Sequence, residues 1–215
     1  GNKNIAIGCD AMNGGAVTGD NNVAIGSSAG DAITSGFSNI AIGKNAGGAL
    51  TSGQHNILLG DGAGAGLVGV GNNVAIGQSA LGLATTDSDQ CVAIGNGAMG
   101  GNFSTANLNF NVAVGAGSQA GVLTAGAAGT VSIGYKSLEA LTSGERNTAV
   151  GFESLKSNTI GDKNTAVGYQ ALESFNADTD AHGHNTAVGH NAMQGNATGT
   201  DNTAIGNQSA FSGTN

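Results

Sequence analysis

The groups able to do chemistry are few. The chain of 215 residues holds four His, two Cys, six basic residues and fourteen carboxylates. His182 and His184 flank Gly183, and His190 follows close behind. Such a group would bind metal only if other copies of the chain brought theirs to the same point; exposed loop histidines are the plainer reading. Asp87 with Asp89, and Asp178 with Asp180, make two Asp-x-Asp pairs. Calcium takes about six to eight oxygens, which one pair does not supply, and the glycine-rich calcium repeat is absent. No nucleophile, base and orienting group stand at a recognisable spacing. Paired carboxylates do not recur at matched positions, which disfavours a depolymerase. Neither an enzyme nor a cofactor is expected.

What must position these groups is a repeat. Twelve times the chain returns to polar–aliphatic–Ala–aliphatic–Gly, followed three residues later by Ala or Ser, starting at residues 4, 22, 39, 56, 73, 91, 111, 130, 147, 164, 185 and 202. The period is 17 with short insertions that stretch it to 21. Regular repeats of this length mark a quasi-one-dimensional array, so residues 1–215 read as a single repeat domain. In the motif the fifth column is always Gly, from Gly8 to Gly206, and the fourth is always aliphatic. The third is Ala except at Leu58 and Ser132, and the eighth is always Ala or Ser.

Val or Ile alternating with Ala has the period of a strand. The expectation is a strand of about five residues, buried on both faces because neither face is charged, with the fourth column drier than the second. One short strand per 17 residues leaves no room for a helical crossover. The fold class is therefore all-β, a parallel β-solenoid of about twelve coils of 17–21 residues. At about 4.8 Å per coil it would span roughly 55–60 Å. A second segment recurs as Ala32-Ile33-Thr34-Ser35-Gly36, Ala49-Leu50-Thr51-Ser52-Gly53 and Ala140-Leu141-Thr142-Ser143-Gly144. In it Leu50 and Leu141 point into the coil and Thr-Ser-Gly turns the chain. First-column Asn residues would stack as an amide ladder. The absence of Pro agrees, since every coil has neighbours needing its N–H groups.

The sixth column varies among polar, charged and aromatic types, as a water-facing position does. In four consecutive coils it holds Tyr135, Phe152, Tyr169 and His190, one coil spacing apart. Such a rail would bind glycan through its ring faces or form a self-stacking ladder; the structural reading is preferred. The insertion from Phe175 to His184 lies beside it. Cys9 and Cys91 sit five coils apart, roughly 24 Å, too far for an intrachain disulfide. A free, exposed Cys9 is expected.

Each coil offers only two or three large aliphatic side chains, a thin core for one chain. Small Ala and Ser columns would let chains approach closely, so an oligomer is expected. The motif resembles the YadA-like head of trimeric autotransporter adhesins and similar repeats of bacteriophage tail fibres. Asn21-Asn22-Val23-Ala24-Ile25-Gly26 with Ala29, and Asn72-Asn73-Val74-Ala75-Ile76-Gly77 with Ala80, carry the likeness. From Thr148 onward the second column is Thr, at Thr148, Thr165, Thr186 and Thr203, nearer to fibre proteins than to the adhesins. The resemblance implies a left-handed β-roll, a homotrimer, an extracellular or virion-surface location and a role in attachment.

A formal charge of −8 argues against nucleic acid and anionic membrane as partners. No apolar run is long enough to insert in a membrane. The expectation is a non-enzymatic shaft or head segment of an extracellular fibre or adhesin that contacts cell-surface glycan. The alternative is a subunit of a self-assembling filament. A second copy after Asn215 would place its first motif 17 residues beyond Asn202, so the chain reads as a segment of a longer fibre, continued covalently or by head-to-tail stacking. Ice binding ranks last, because the aligned Thr occupies one column in four coils only.

Overall fold

The computed structural model describes residues 1–83, 88–101, 108–124, 126–177 and 183–211. It is all-β, one twelve-stranded parallel sheet in strict chain order. The strands are β1 (Ile5–Ile7), β2 (Val23–Ile25), β3 (Ile40–Ile42), β4 (Ile57–Leu59), β5 (Val74–Ile76), β6 (Val92–Ile94), β7 (Val112–Val114), β8 (Val131–Ile133), β9 (Thr148–Val150), β10 (Thr165–Val167), β11 (Thr186–Val188) and β12 (Thr203–Ile205). Each pairs in register with its equivalent one coil away, as Ala24 with Ala41. The chain is thus a β-solenoid, and the single strand per coil is the one read from the motif.

The strands are three residues long, not five. The residue before each motif is held at positive φ, as at Asn21 (57°) and His55 (56°), and the fifth-column Gly turns sharply at the other end, as at Gly26 (134°). Both ends leave the β region, so only columns two to four are extended. Gly is obligatory in column five for two reasons. Its φ is one that side chains avoid, and a β-carbon on Gly26 would lie 2.6 Å from the carbonyl oxygen of Gly43.

The faces of the sheet reverse the expectation. From β2 to β12 the middle residue is buried and the flanking aliphatics are not. Ala24, Ala41, Ala75 and Ala93 are fully buried, whereas Ile42 and Ile133 are 37% and 39% exposed. Column four is no drier than column two: both point outward. The cause is lumen width. Ile33, Leu50, Leu67, Leu81, Leu138 and Leu155 fill the coil interior, leaving room opposite them for a methyl group in most coils, with Leu58 and Ser132 the buried exceptions. Leu50 and Leu141 point inward as expected. The eighth column is also inside, so its Ala and Ser face the lumen and not another chain; only Ala11 and Ser209, in the end coils, are incompletely covered.

The first-column amides form the expected ladder, and it is buried. Asn39 Nδ2 donates to Asn22 Oδ1 at 3.0 Å and to the Gly53 carbonyl at 2.7 Å. Asn39 Oδ1 in turn accepts from the backbone N–H and Nδ2 of Asn56. Thr34, Thr51 and Thr142 hydroxyls donate to carbonyls of the following coil. Thr-Ser-Gly therefore bonds coil to coil as well as turning the chain.

Candidate functional site: an aromatic rail and an aliphatic face

The Gly turn after each strand carries the sixth column onto an outer corner, and all twelve of its residues are exposed. Tyr135 and Phe152 stack with centroids 5.1 Å apart, Phe152 and Tyr169 at 5.2 Å, Tyr169 and His190 at 5.0 Å. The last two pairs are within 10° of parallel. The spacing is the coil repeat, so the backbone ladder imposes the stack. Lys136 Nζ lies over the Tyr135 ring, 5.6 Å from its centroid, a cation–π geometry.

Beside the rings runs a paired polar track. Lys156 Nζ meets Glu153 Oε1 at 2.8 Å and Lys136 Nζ meets Glu139 Oε1 at 2.9 Å. Gln170 Nε2 donates to Glu153 Oε2 at 2.9 Å, and Gln194 Nε2 to Gln170 Oε1 and Glu173 Oε2. The hydrogen bond from Lys156, then that from Gln170, holds the Glu153 carboxyl below the usual carboxylate range. Its partner raises the Lys156 ammonium. This track was not legible from the repeat, since its members come from columns seven and ten of different coils.

Sugar rings pack on aromatic faces, and here the inner rings spend their faces on each other. Edges remain, with Tyr135 45% and Tyr169 43% exposed. The stacked inner rings do not present open platforms. Phe175, at the start of the neighbouring insertion, is fully buried in the core, so it adds nothing to this surface.

The larger exposed feature is the outer face of the sheet. Columns two and four line it with Ile5 and Ile7, Val23 and Ile25, Ile40 and Ile42, and so on to Thr203 and Ile205. Twelve strands at about 4.8 Å, with two outward ranks, make an apolar strip on the order of 500 Å². Patches beyond a few hundred Å² mark contact surfaces. Alternation alone does not say which face is outward; the small size of column three beside bulky lumen residues was the available signal.

The other candidates do not assemble. His182, Asp87, Asp178 and Asp180 lie outside the described residues. His184 Nδ1 is 3.5 Å from Asp201 Oδ1, and His190 belongs to the rail. Asp89 is spent on backbone, accepting from the Gly71 N–H at 2.6 Å. Among the described residues no three His, Cys, Asp or Glu side chains could hold a metal ion. Both cysteines are free, Cys9 exposed and Cys91 buried. The hydrogen bond to Asp10 raises the Cys9 thiol, and burial pushes Cys91 up to about 11, so neither is an activated nucleophile. Ser118, Ser132 and Ser137 form a buried hydroxyl cluster, with Oγ separations of 2.6 and 2.7 Å through Ser132. It contains no base and is closed to solvent. Among the described residues no helix is long and apolar enough to cross a membrane.

No protein-family model, curated protein or solved structure matches the chain. The resemblance to adhesin heads and tail-fibre repeats therefore rests on the motif.

Proposed function

We propose that this chain is a structural segment of an extracellular fibre or adhesin, in which three copies bury their aliphatic sheet faces against one another. The outward strip from Ile5 to Ile205 carries this reading. A water-facing sheet surface would be mixed, whereas these two ranks are aliphatic or Thr throughout. The number three, the left-handed coil, the surface location and the attachment role come from the resemblance. In this reading the aromatic rail lies off the interface and stiffens the shaft, and glycan contact is secondary to it.

Mass measurement in solution tests the assembly. Wild type should give three chains per particle. Ile76→Lys, on the exposed side of β5, should give monomers that keep the β-sheet circular dichroism signal. A wild-type monomer with the full β signal would remove the proposal, and a stable dimer would keep the face but discard the number.

A further inference from the structure

Departures from the repeat gather in coils five to eight, with one further break at His182. Rungs from Asn Nδ2 to the preceding Asn Oδ1 run through Asn4, Asn22, Asn39 and Asn56, and again through Asn147, Asn164, Asn185 and Asn202, at 3.0–3.2 Å. Between these two runs the first column holds Asn73, Cys91, Asn111 and Thr130. Asn111 Nδ2 keeps the bond to the carbonyl three residues before the next motif, here Ala127, and turns to the Leu108 carbonyl in place of the preceding first-column residue.

A second column breaks at the same place. Three residues before the motif stand Gly19, Gly36 and Gly53, and later Gly144, Gly161 and Gly199, with His182 the exception among the later coils. A β-carbon there strikes the next coil, as at Gly36, where it would lie 2.6 Å from the Gly53 oxygen. In coils five to eight the position is Val70, Ser88, Leu108 and Ala127, all buried.

Polar satisfaction fails there too. Among the described residues the buried side-chain atoms without a partner are Asn73 Nδ2, Ser88 Oγ, Gln119 Nε2 and Oε1, Thr130 Oγ1 and Asn191 Oδ1. All but the last lie between Asn73 and Thr130. A buried donor or acceptor with no partner forfeits its hydration without compensation. Opening the coil restores that hydration, so opening is least costly where such groups concentrate.

We propose that strands β5 to β8, with the first-column and lumen residues packed beside them, are a built-in weak seam that opens to solvent while the strands on either side stay folded. Solenoid stability is a sum of coil and nearest-neighbour terms, so a run of poor neighbours divides one array into two cooperative blocks. The sheet itself passes through unbroken from β5 to β8; the weakness lies in the ladder and the lumen. Under load or heat the rod would yield at this place and not along its length. Cys91 sits inside the seam, fully buried, with its thiol on the Leu108 carbonyl. Reagents reach it only when the seam opens.

Hydrogen exchange on the intact chain, read by mass spectrometry, tests this. A uniform array frays from its ends, so protection would rise to one central maximum. The seam requires two maxima, near β2–β4 and β9–β11, with strands β5 to β8 exchanging at least about tenfold faster than either. In a Cys9→Ser background, maleimide should label Cys91 under native conditions, with weaker denaturant dependence than complete unfolding. Cys91→Asn combined with Thr130→Asn should slow exchange in β5–β8 and leave both flanks unchanged. A single central maximum of protection would overturn the proposal, as would Cys91 labelling that follows global unfolding only. Both wild-type readings stand even if the double variant fails to fold.

Discussion

Leu58 fills the space that a side chain on Gly64 would need: a β-carbon there would lie 2.7 Å from Leu58 Cδ2. Gly47, one coil earlier, makes the same room, with Leu58 Cδ1 2.8 Å from its would-be β-carbon. Leu58 is the large exception in an Ala column, and two glycines in column nine compensate for it. In four other coils that column holds Leu81, Leu138, Leu155 and Leu172 at φ near 50°, so the backbone accepts Leu and the lumen decides; a third glycine there, Gly30, makes room for Ile33.

Gly64→Leu should therefore overpack the lumen by about 1–3 kcal/mol, and Leu58→Ala should cost about 2–5 kcal/mol through a cavity. Combined, they should cost less than their sum, since Leu at Gly64 fills the space that Leu58 vacates. Chemical unfolding of the three variants gives the coupling energy, which should be about 0.5–3 kcal/mol. Strict additivity would separate the two sites.

Column-five glycines answer two demands that can be measured apart. At Gly77 a β-carbon would lie 2.5 Å from the Gly95 oxygen, and φ is 131°. At Gly206 φ is 126°, but nothing lies within 4 Å. Gly206→Ala should cost about 1–3 kcal/mol of backbone strain. Gly77→Ala should cost more, because the collision adds to that strain, and thermal melts should rank them in that order.

The amide ladder should be the most sensitive polar feature. Asn39→Ala strands the Gly53 carbonyl and the Asn56 N–H in a buried setting and leaves Asn56 Nδ2 only its bond to the Val70 carbonyl. At about 1–3 kcal/mol per stranded group, the loss should reach on the order of 3 kcal/mol. Asn202→Ala, in the partly exposed last coil, should cost clearly less by the same denaturation assay.

Phe152 stacks on both Tyr135 and Tyr169, so Phe152→Ala removes two ring pairs of about 0.5–1.5 kcal/mol each. The expected result is a lower melting temperature and a weaker near-ultraviolet dichroism signal from the tyrosines. Unchanged melting would deny the rail its stiffening role and return attention to ligand binding.

Burial keeps the Cys91 thiol neutral, with a pKa of about 11 in the folded chain, against about 8.5 when unfolded. Between those values the unfolded state loses its proton first, so it binds fewer protons than the folded state. Stability should be fully present below the unfolded value and fall as pH rises toward 11. Cys91→Ser keeps a donor for the Leu108 carbonyl and should flatten that alkaline loss. Unfolding midpoints of both proteins, measured from pH 8 to 11, check it.

Period, coil count, in-register parallel stacking, the Asn ladder and the exposed corner with its aromatic run were all legible in the order of residues. Each depends on one column repeating one chemical type: Gly8 to Gly206 for the turn, Asn22 to Asn56 for the ladder, Tyr135 to His190 for the rail. Repetition at a fixed period turns a local preference into a stack, because equivalent residues must meet. Alternation alone did not tell which way the strand faces, since Val-Ala-Ile alternates equally well with either side inward, and the small size of column three was the one signal. That choice was made by the width of the lumen, which Leu50, Leu67 and Leu138 occupy and which admits a large residue in the strand only where glycines make room, as for Leu58. The partner track at Lys156, Glu153 and Gln170, the room that Gly47 and Gly64 make for Leu58, and the unpaired groups from Asn73 to Thr130 also belong to the folded chain alone. They are relations across a coil or between coils, and distance across a coil is set by side-chain volumes that no single column records.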